Sequence, residues 1–265
     1  MNRGTGINAM NLAIETHQLS RNFGEFLAVN CIDLRVETGT FYGFLGPNGA
    51  GKSTTIKMLT GLLAASSGDI RVLGKDMCDT REALEAKSHL GVIPEDLALF
   101  DNLTAREYLT FVGRMYLLTR ETIRSRIDEL LPILDLENEE KKLAVEYSHG
   151  MKKKLALAAA LLPNPDLLFL DEPFEGVDAV TSRTIRDLLA GFVHRGSTVF
   201  LTSHVLEIVE KLCTHVGIIV KGNLVEQTSL EELRRGGTLE ERFLEHAGAD
   251  IEAHPKLNWL EEKSP

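Results

Sequence analysis

Hydrophobic and polar positions change their period along the chain, and the changes mark out its elements. Residues 12–19 and 27–36 read as short strands, with Asn22-Phe23-Gly24 turning between them. Phe41-Tyr42-Gly43-Phe44-Leu45 is a continuous apolar run, the pattern of a strand buried on both faces. A glycine-rich segment, 46–51, follows, and then Ile56, Leu59 and Leu63 fall on one face of a helix. Residues 89–93 predict a further strand, stopped by Pro94.

Beyond Pro94 the period is helical. Thr104 and Glu107 form a capping box that opens a helix through about Leu117. Ile123, Ile127, Leu130, Leu131 and Leu134 keep helical spacing, and Pro132 ends or bends that helix. A third helix runs over 148–162 to Pro163-Asn164-Pro165, so 97–162 is a helical block inserted in an α/β chain. Alternation then returns with a strand at 167–170, a helix at 181–193, a strand at 198–201 and a helix at 205–212 with Val205, Ile208, Val209 and Leu212 inward. Two strands within 215–227 turn at Gly222-Asn223, and capping boxes Ser229/Glu232 and Thr238/Glu241 open two short helices. The expected organisation is one α/β domain over 10–235 and a helical extension over 236–265, whose last dozen residues show no periodicity.

Composition narrows the classes of function. The 265 residues carry a net charge of −10, against the basic surface that nucleic-acid binding needs. The densest basic run, Lys152-Lys153-Lys154, reads as a solvated helix face. Cys31, Cys78 and Cys213 have no metal-ligand spacing and read as reduced thiols of a cytosolic protein. The longest apolar stretch, 155–162, is far below the roughly 18–20 residues of a membrane span. Met1-Asn2-Arg3-Gly4 opens no signal peptide. Any service to a membrane is therefore expected from the cytoplasmic face and through a partner.

The chemistry is concentrated after strands. Gly46-Pro47-Asn48-Gly49-Ala50-Gly51-Lys52-Ser53 matches G-x-x-x-x-G-K-[ST], between a strand and a helix. Glycines let successive N–H groups converge on an anion, and the helix start adds its positive dipole end. Lys52 is placed for the β- and γ-phosphates and Ser53 for Mg²⁺, so ATP and Mg²⁺ are the expected ligands of this loop and of Thr54 beyond it. Leu167-Leu168-Phe169-Leu170-Asp171-Glu172 is an apolar strand ending in two carboxylates; Asp171 is expected beside the metal and Glu172 at the mouth, polarising a water. His204 follows the next strand and is expected on the same crevice.

Phe23, the P-loop, Ile93-Pro94-Glu95, the helical block, Tyr147-Ser148-His149-Gly150-Met151, Leu170-Asp171-Glu172-Pro173, Asp178 and His204 occur in that order. The succession resembles the ATP-binding subunits of ABC transporters over about residues 12–227, and segment 148–154 is most like exporters whose permease is a separate chain. The resemblance implies a P-loop NTPase fold: a mainly parallel core sheet, a small antiparallel N-terminal sheet and an inserted helical subdomain. It implies that Phe23 stacks on adenine and that Ser148 and Gly150 bind the γ-phosphate held by a second ATPase subunit. Asp178 would close the loop between the subunits, Glu95 would join Ser53 at Mg²⁺, and Glu172 and His204 would be catalytic. A multi-spanning permease would be the membrane partner, reached through Glu95 and the adjacent helical block.

Three positions depart from the family pattern. The signature, usually Leu-Ser-Gly-Gly-Gln, is Tyr147-Ser148-His149-Gly150-Met151, which keeps the serine and second glycine. Glu175-Gly176-Val177 precedes Asp178 where a small residue usually starts the loop, and Glu95 replaces a glutamine. Glutamate still offers an oxygen to Mg²⁺ but adds charge beside ATP. A soluble ABC-type ATPase acting on ribosomes or DNA is the alternative; a second fused ATPase domain or long coiled-coil insertion is lacking, and the acidic charge opposes DNA. A P-loop kinase or GTPase is opposed by Ser148-x-Gly150 and His204.

Overall fold

The computed structural model describes residues 11–247. The N-terminal Met1-Asn2-Arg3-Gly4 and the tail from 248 lie outside the described residues. The chain opens with β1 (Leu12–Phe23), β2 (Phe26–Ile32) and β3 (Arg35–Glu37), followed by β4 (Phe41–Leu45) and α1 (Lys52–Leu59). Next come β5 (Ser67–Val72), β6 (Lys75–Asp76), α2 (Thr80–Lys87) and β7 (Leu90–Ile93). The helical block holds α3 (Ala105–Met115), α4 (Arg120–Ile133), two single 3₁₀ turns and α5 (His149–Leu161). The chain continues with β8 (Leu167–Asp171), α6 (Ala179–His194), β9 (Thr198–Ser203) and α7 (Leu206–Leu212). Strands β10 (His215–Val220) and β11 (Asn223–Ser229) and helices α8 (Leu230–Gly236) and α9 (Leu239–Ala247) complete it.

Among the described residues the strands form two sheets. The core sheet has the order β11-β10-β4-β9-β8-β7, parallel except for the β10–β11 hairpin. In the smaller sheet β1 pairs antiparallel with β2, β3 and β5, and β6 edges β5. The fold class is therefore the one expected. Strands β4, β8 and β9 are buried at every position, and their period of two divides the apolar side chains between two cores. Leu45, Leu168, Leu170, Val199 and Leu201 pack with the helical block. Tyr42, Phe44, Phe169 and Phe200 pack toward the antiparallel sheet, with Phe200 at 5.3–5.6 Å from the other three rings.

Several local expectations change. β1 runs through to Phe23, which pairs with Phe26, so the turn falls at Gly24-Glu25 and Phe23 sits on a strand end. The expected strand 27–36 is broken at Asp33-Leu34 into β2 and β3. Val205 is the N-cap of α7 and exposed; Val209 is the buried residue of that helix. Pro132 lies inside α4, which ends one residue later. The run Lys152-Lys153-Lys154 is not uniformly solvated: Lys153 is buried. The capping boxes of α3 and α9 form as expected, with Thr104 N–H donating to Glu107 and Thr238 N–H to Glu241. No helix among the described residues is long and apolar enough to cross a membrane.

Candidate functional site

The parallel strands bring their carboxyl ends to one side, and the chemistry-bearing loops leave from there. The 46–51 loop links β4 to α1. Gly49 and Gly51 take φ of +78° and +107°, in the left-handed region where a side chain is costly. A Cβ on Gly51 would also run into the Ala28 carbonyl, whereas at Gly49 the space beyond is open. No side chain caps α1, leaving its first N–H groups for an anion. Lys52, itself buried, donates from Nζ to the Gly46 carbonyl at 2.8 Å and lies 3.4 Å from that of Pro47. One residue on, Ser53 Oγ donates to Glu95 Oε2 at 3.2 Å, so the loop after β7 meets the start of α1.

The carboxylates of β8 diverge. Asp171 accepts the Thr202 hydroxyl of the neighbouring strand and does not line the nucleotide-sized cleft described below. Glu172 has φ +48°, a conformation non-glycine residues seldom hold, and only 7% of its surface is exposed. Its N–H donates to Thr202 Oγ1 at 3.1 Å and its carbonyl accepts from Lys153 Nζ at 2.9 Å. Its carboxylate reaches His204 Nδ1 at 3.1 Å through Oε2 and Lys52 Nζ at 3.5 Å through Oε1. That Oε1 is buried and, beyond the ion-pair contact with Lys52, accepts no hydrogen bond among the described residues. Burial pulls the Lys153 ammonium below the usual lysine value, opposed by the carboxylates of Glu175, Glu172 and Glu95.

These groups border a cleft of about 450 Å³ lined by Asn48, Gly49, Ala50, Gly51, Lys52, Ser53 and Thr54, with Glu95 and Glu172 at one side and Phe23, Phe26 and Ala28 at the other. Phe23 is 47% exposed, and Arg21 covers it with its guanidinium 4.6 Å from the ring centre. An exposed ring beside a phosphate-binding loop offers a π-face to a base.

Ser148, Gly150 and Asp178 stand apart from this cleft. Ser148 caps α5, accepting from the Met151 N–H at 3.3 Å, and the Gly150 Cα faces open space. Asp178 caps α6 through the N–H groups of Val180 and Thr181 and the Thr181 hydroxyl, at 3.0, 2.9 and 2.7 Å. The bonds from Thr181, N–H first and hydroxyl second, hold its carboxyl below the usual range. Thr202, Phe26 and Lys153 belong to the site's neighbourhood and escaped the sequence reading. Thr202 could have been found, two residues before His204 on the strand next to Asp171, whereas Lys153 was masked by its charged neighbours.

Fold and site together define a P-loop ATPase of the cassette type. A family model described as ABC transporter matches residues 29–175. The bacitracin transport ATP-binding protein BcrA of Bacillus licheniformis is 38% identical over 227 residues, covering 85% of this chain and 72% of that one. The linearmycin resistance ATP-binding protein LnrL of Bacillus subtilis (strain 168) is 37% identical, covering 80% and 68%. A solved ATP-binding subunit of an ABC transporter superposes with TM-score 0.82 at 28% identity, over 88% of this chain and 98% of that one. A bacterial cassette solved as a dimer shares the fold, with TM-score 0.76 at 23% identity, over 82% and 98%. The chain belongs to the ABC transporter ATP-binding family, and it binds ATP and hydrolyses it.

Proposed function

We propose that this chain powers an exporter by hydrolysing ATP between two ATPase subunits bound to a separate multi-spanning permease. The buried, under-bonded carboxylate of Glu172 beside the P-loop carries the reading. In it, the nucleotide's phosphates lie along 48–54 with the base against Phe23. A water between Glu172 and the γ-phosphorus gives its proton to the carboxylate as the new P–O bond forms. The bond to the bridging oxygen of the β-phosphate breaks, leaving ADP and inorganic phosphate. His204 holds Glu172 from Oε2, which leaves Oε1 for the water.

The donor set at Ser53 and Glu95 fits Mg²⁺. It offers one hydroxyl and one carboxylate oxygen, and no cluster of three metal-binding acidic, His or Cys side chains exists among the described residues. Mg²⁺ keeps waters and takes phosphate oxygens, so two protein donors suit it better than a full cage would. When bound, the ion neutralises phosphate charge in the transition state.

Ser148 and Gly150, at a capped helix start open to solvent, suit the γ-phosphate of a nucleotide on a second subunit. For the permease, Phe100 and Phe111 are 53% and 41% exposed and meet edge to face at 5.1 Å, on the helical block that follows Glu95. Exposed aromatic pairs of this kind mark docking surfaces. Names such as bacitracin transport and linearmycin resistance among the relatives support the export reading.

Lys52→Ala tests the reading at its base. Hydrolysis is expected to fall to background and ATP affinity to drop, because the buried cation facing the phosphates is gone. Unchanged turnover in that variant would contradict it.

A further inference from the structure

The charged residue that the sequence hides best lies under the catalytic loop. Lys153 is only 6% exposed, and its ammonium donates to two carbonyls of one short segment, Glu172 O at 2.9 Å and Glu175 O. A buried ammonium is costly unless its protons are used, so an apolar residue would fill this place at lower cost if packing were all it did. Those carbonyls belong to a loop, outside any strand or helix ladder, whose first residue holds the left-handed φ of +48°. One turn earlier on the same face of α5, the His149 ring lies beside Gly176 of the loop. A Cβ on Gly176 would lie 3.0 Å from its Cδ2 and 3.2 Å from its Nε2. Residues four apart share one helix face, so α5 grips the segment 172–176 at two points.

We propose that Lys153 is a positioning residue for Glu172, fixing the strained backbone from which the carboxylate reaches the cleft, with His149 closing the far end of the same grip. The proposal rests on Glu172 being the group that activates water. Glu172 is then held on four sides: N–H by Thr202, C=O by Lys153, and carboxylate by His204 and Lys52. Lys153 is the side chain that holds the peptide plane following Glu172, alongside the weaker backbone bond from the Glu175 N–H at 3.3 Å. Letting that plane relax toward an ordinary φ swings the carboxylate away from the γ-phosphorus, while the P-loop, on another strand, keeps its shape.

The test is a double-mutant cycle in the full chain. Lys153→Met keeps the unbranched stem and removes every donor. It is expected to bind a fluorescent ATP analogue within about threefold of wild type, while kcat falls about 10²-fold, the scale of an ångström-sized misplacement. Glu172→Gln alone is expected to lose about 10²–10⁴-fold. Because Lys153 acts through Glu172, the double variant should turn over no more slowly than Glu172→Gln. Multiplicative losses would show that Lys153 acts elsewhere, and wild-type kcat in Lys153→Met would show that it does not act at all; either overturns the proposal. If Lys153→Met fails to bind nucleotide, the cycle is run on Lys153→Gln, a shorter neutral amide that reaches at most one carbonyl. An intermediate kcat and the same non-additivity support the proposal, and wild-type or multiplicative behaviour overturns it. Normal hydrolysis by Glu172→Gln would instead remove the underlying reading of the base.

Discussion

Glu95 meets Ser53 at 3.2 Å, and under the proposed function its charge would set how the site handles a divalent cation. A carboxylate there shares the cleft with Glu172 and, in the proposed function, with the phosphates of ATP; like charges so arranged cost free energy until a cation joins them. An amide gives the same oxygen without the repulsion. Glu95→Gln is therefore expected to keep hydrolysing ATP with a shallower dependence on Mg²⁺ concentration. An ATPase titration against Mg²⁺ measures this, and superimposable curves for the two proteins would place Glu95 outside the metal shell. Lys153 shows the opposite kind of residue, whose role depends on burial that no charge run reveals.

At the scale of elements, caps fix where the helices begin. Asp178 starts α6 with three hydrogen bonds that depress its carboxyl. A depressed folded value means that the stabilisation is fully present above the unfolded value, about 3.9, and is lost as pH falls through the lower folded one. Asparagine caps without titrating. The difference in thermal stability between wild type and Asp178→Asn should thus hold steady above about pH 5 and shrink on acidification; a difference independent of pH down to pH 2 would contradict the cap's titration. Elements whose pattern is complete in themselves were legible in the sequence: β4 and β8 as apolar runs, α3 and α9 from their capping boxes. Strands β5 and β6 and helix α2 were not, because Ser67-Gly68-Asp69 and Lys75-Asp76 show no alternation and owe their strand state to pairing with β1 and with each other. The extension of β1 to Phe23 is likewise set by its partner strand, which is why the ring expected in a turn lies on a strand end. The P-loop could be read from spacing, and Glu172 was singled out only with the P-loop upstream of it, whereas the Thr202 and Lys153 contacts join residues about 20–30 positions apart and exist only once β8, β9 and α5 are packed.

For the molecule as a whole, the proposed function asks one face to take a second ATPase subunit and another a permease. Phe111→Asp places a charge in the exposed aromatic pair without touching the cleft. It is expected to leave the ATPase rate of the isolated chain within about twofold, as surface changes usually do, and to abolish recovery of a multi-spanning protein with the chain from detergent-solubilised membranes. Full recovery would move the docking surface elsewhere. Whether Glu172 activates water in an ATP-closed pair of subunits is read from Glu172→Gln with ATP and Mg²⁺ on a sizing column, alongside its steady-state rate. Turnover is expected to slow by about 10²–10⁴-fold, with a stable nucleotide-bound dimer that the wild type forms only transiently. A variant that hydrolyses at the wild-type rate and elutes as a monomer would contradict that role.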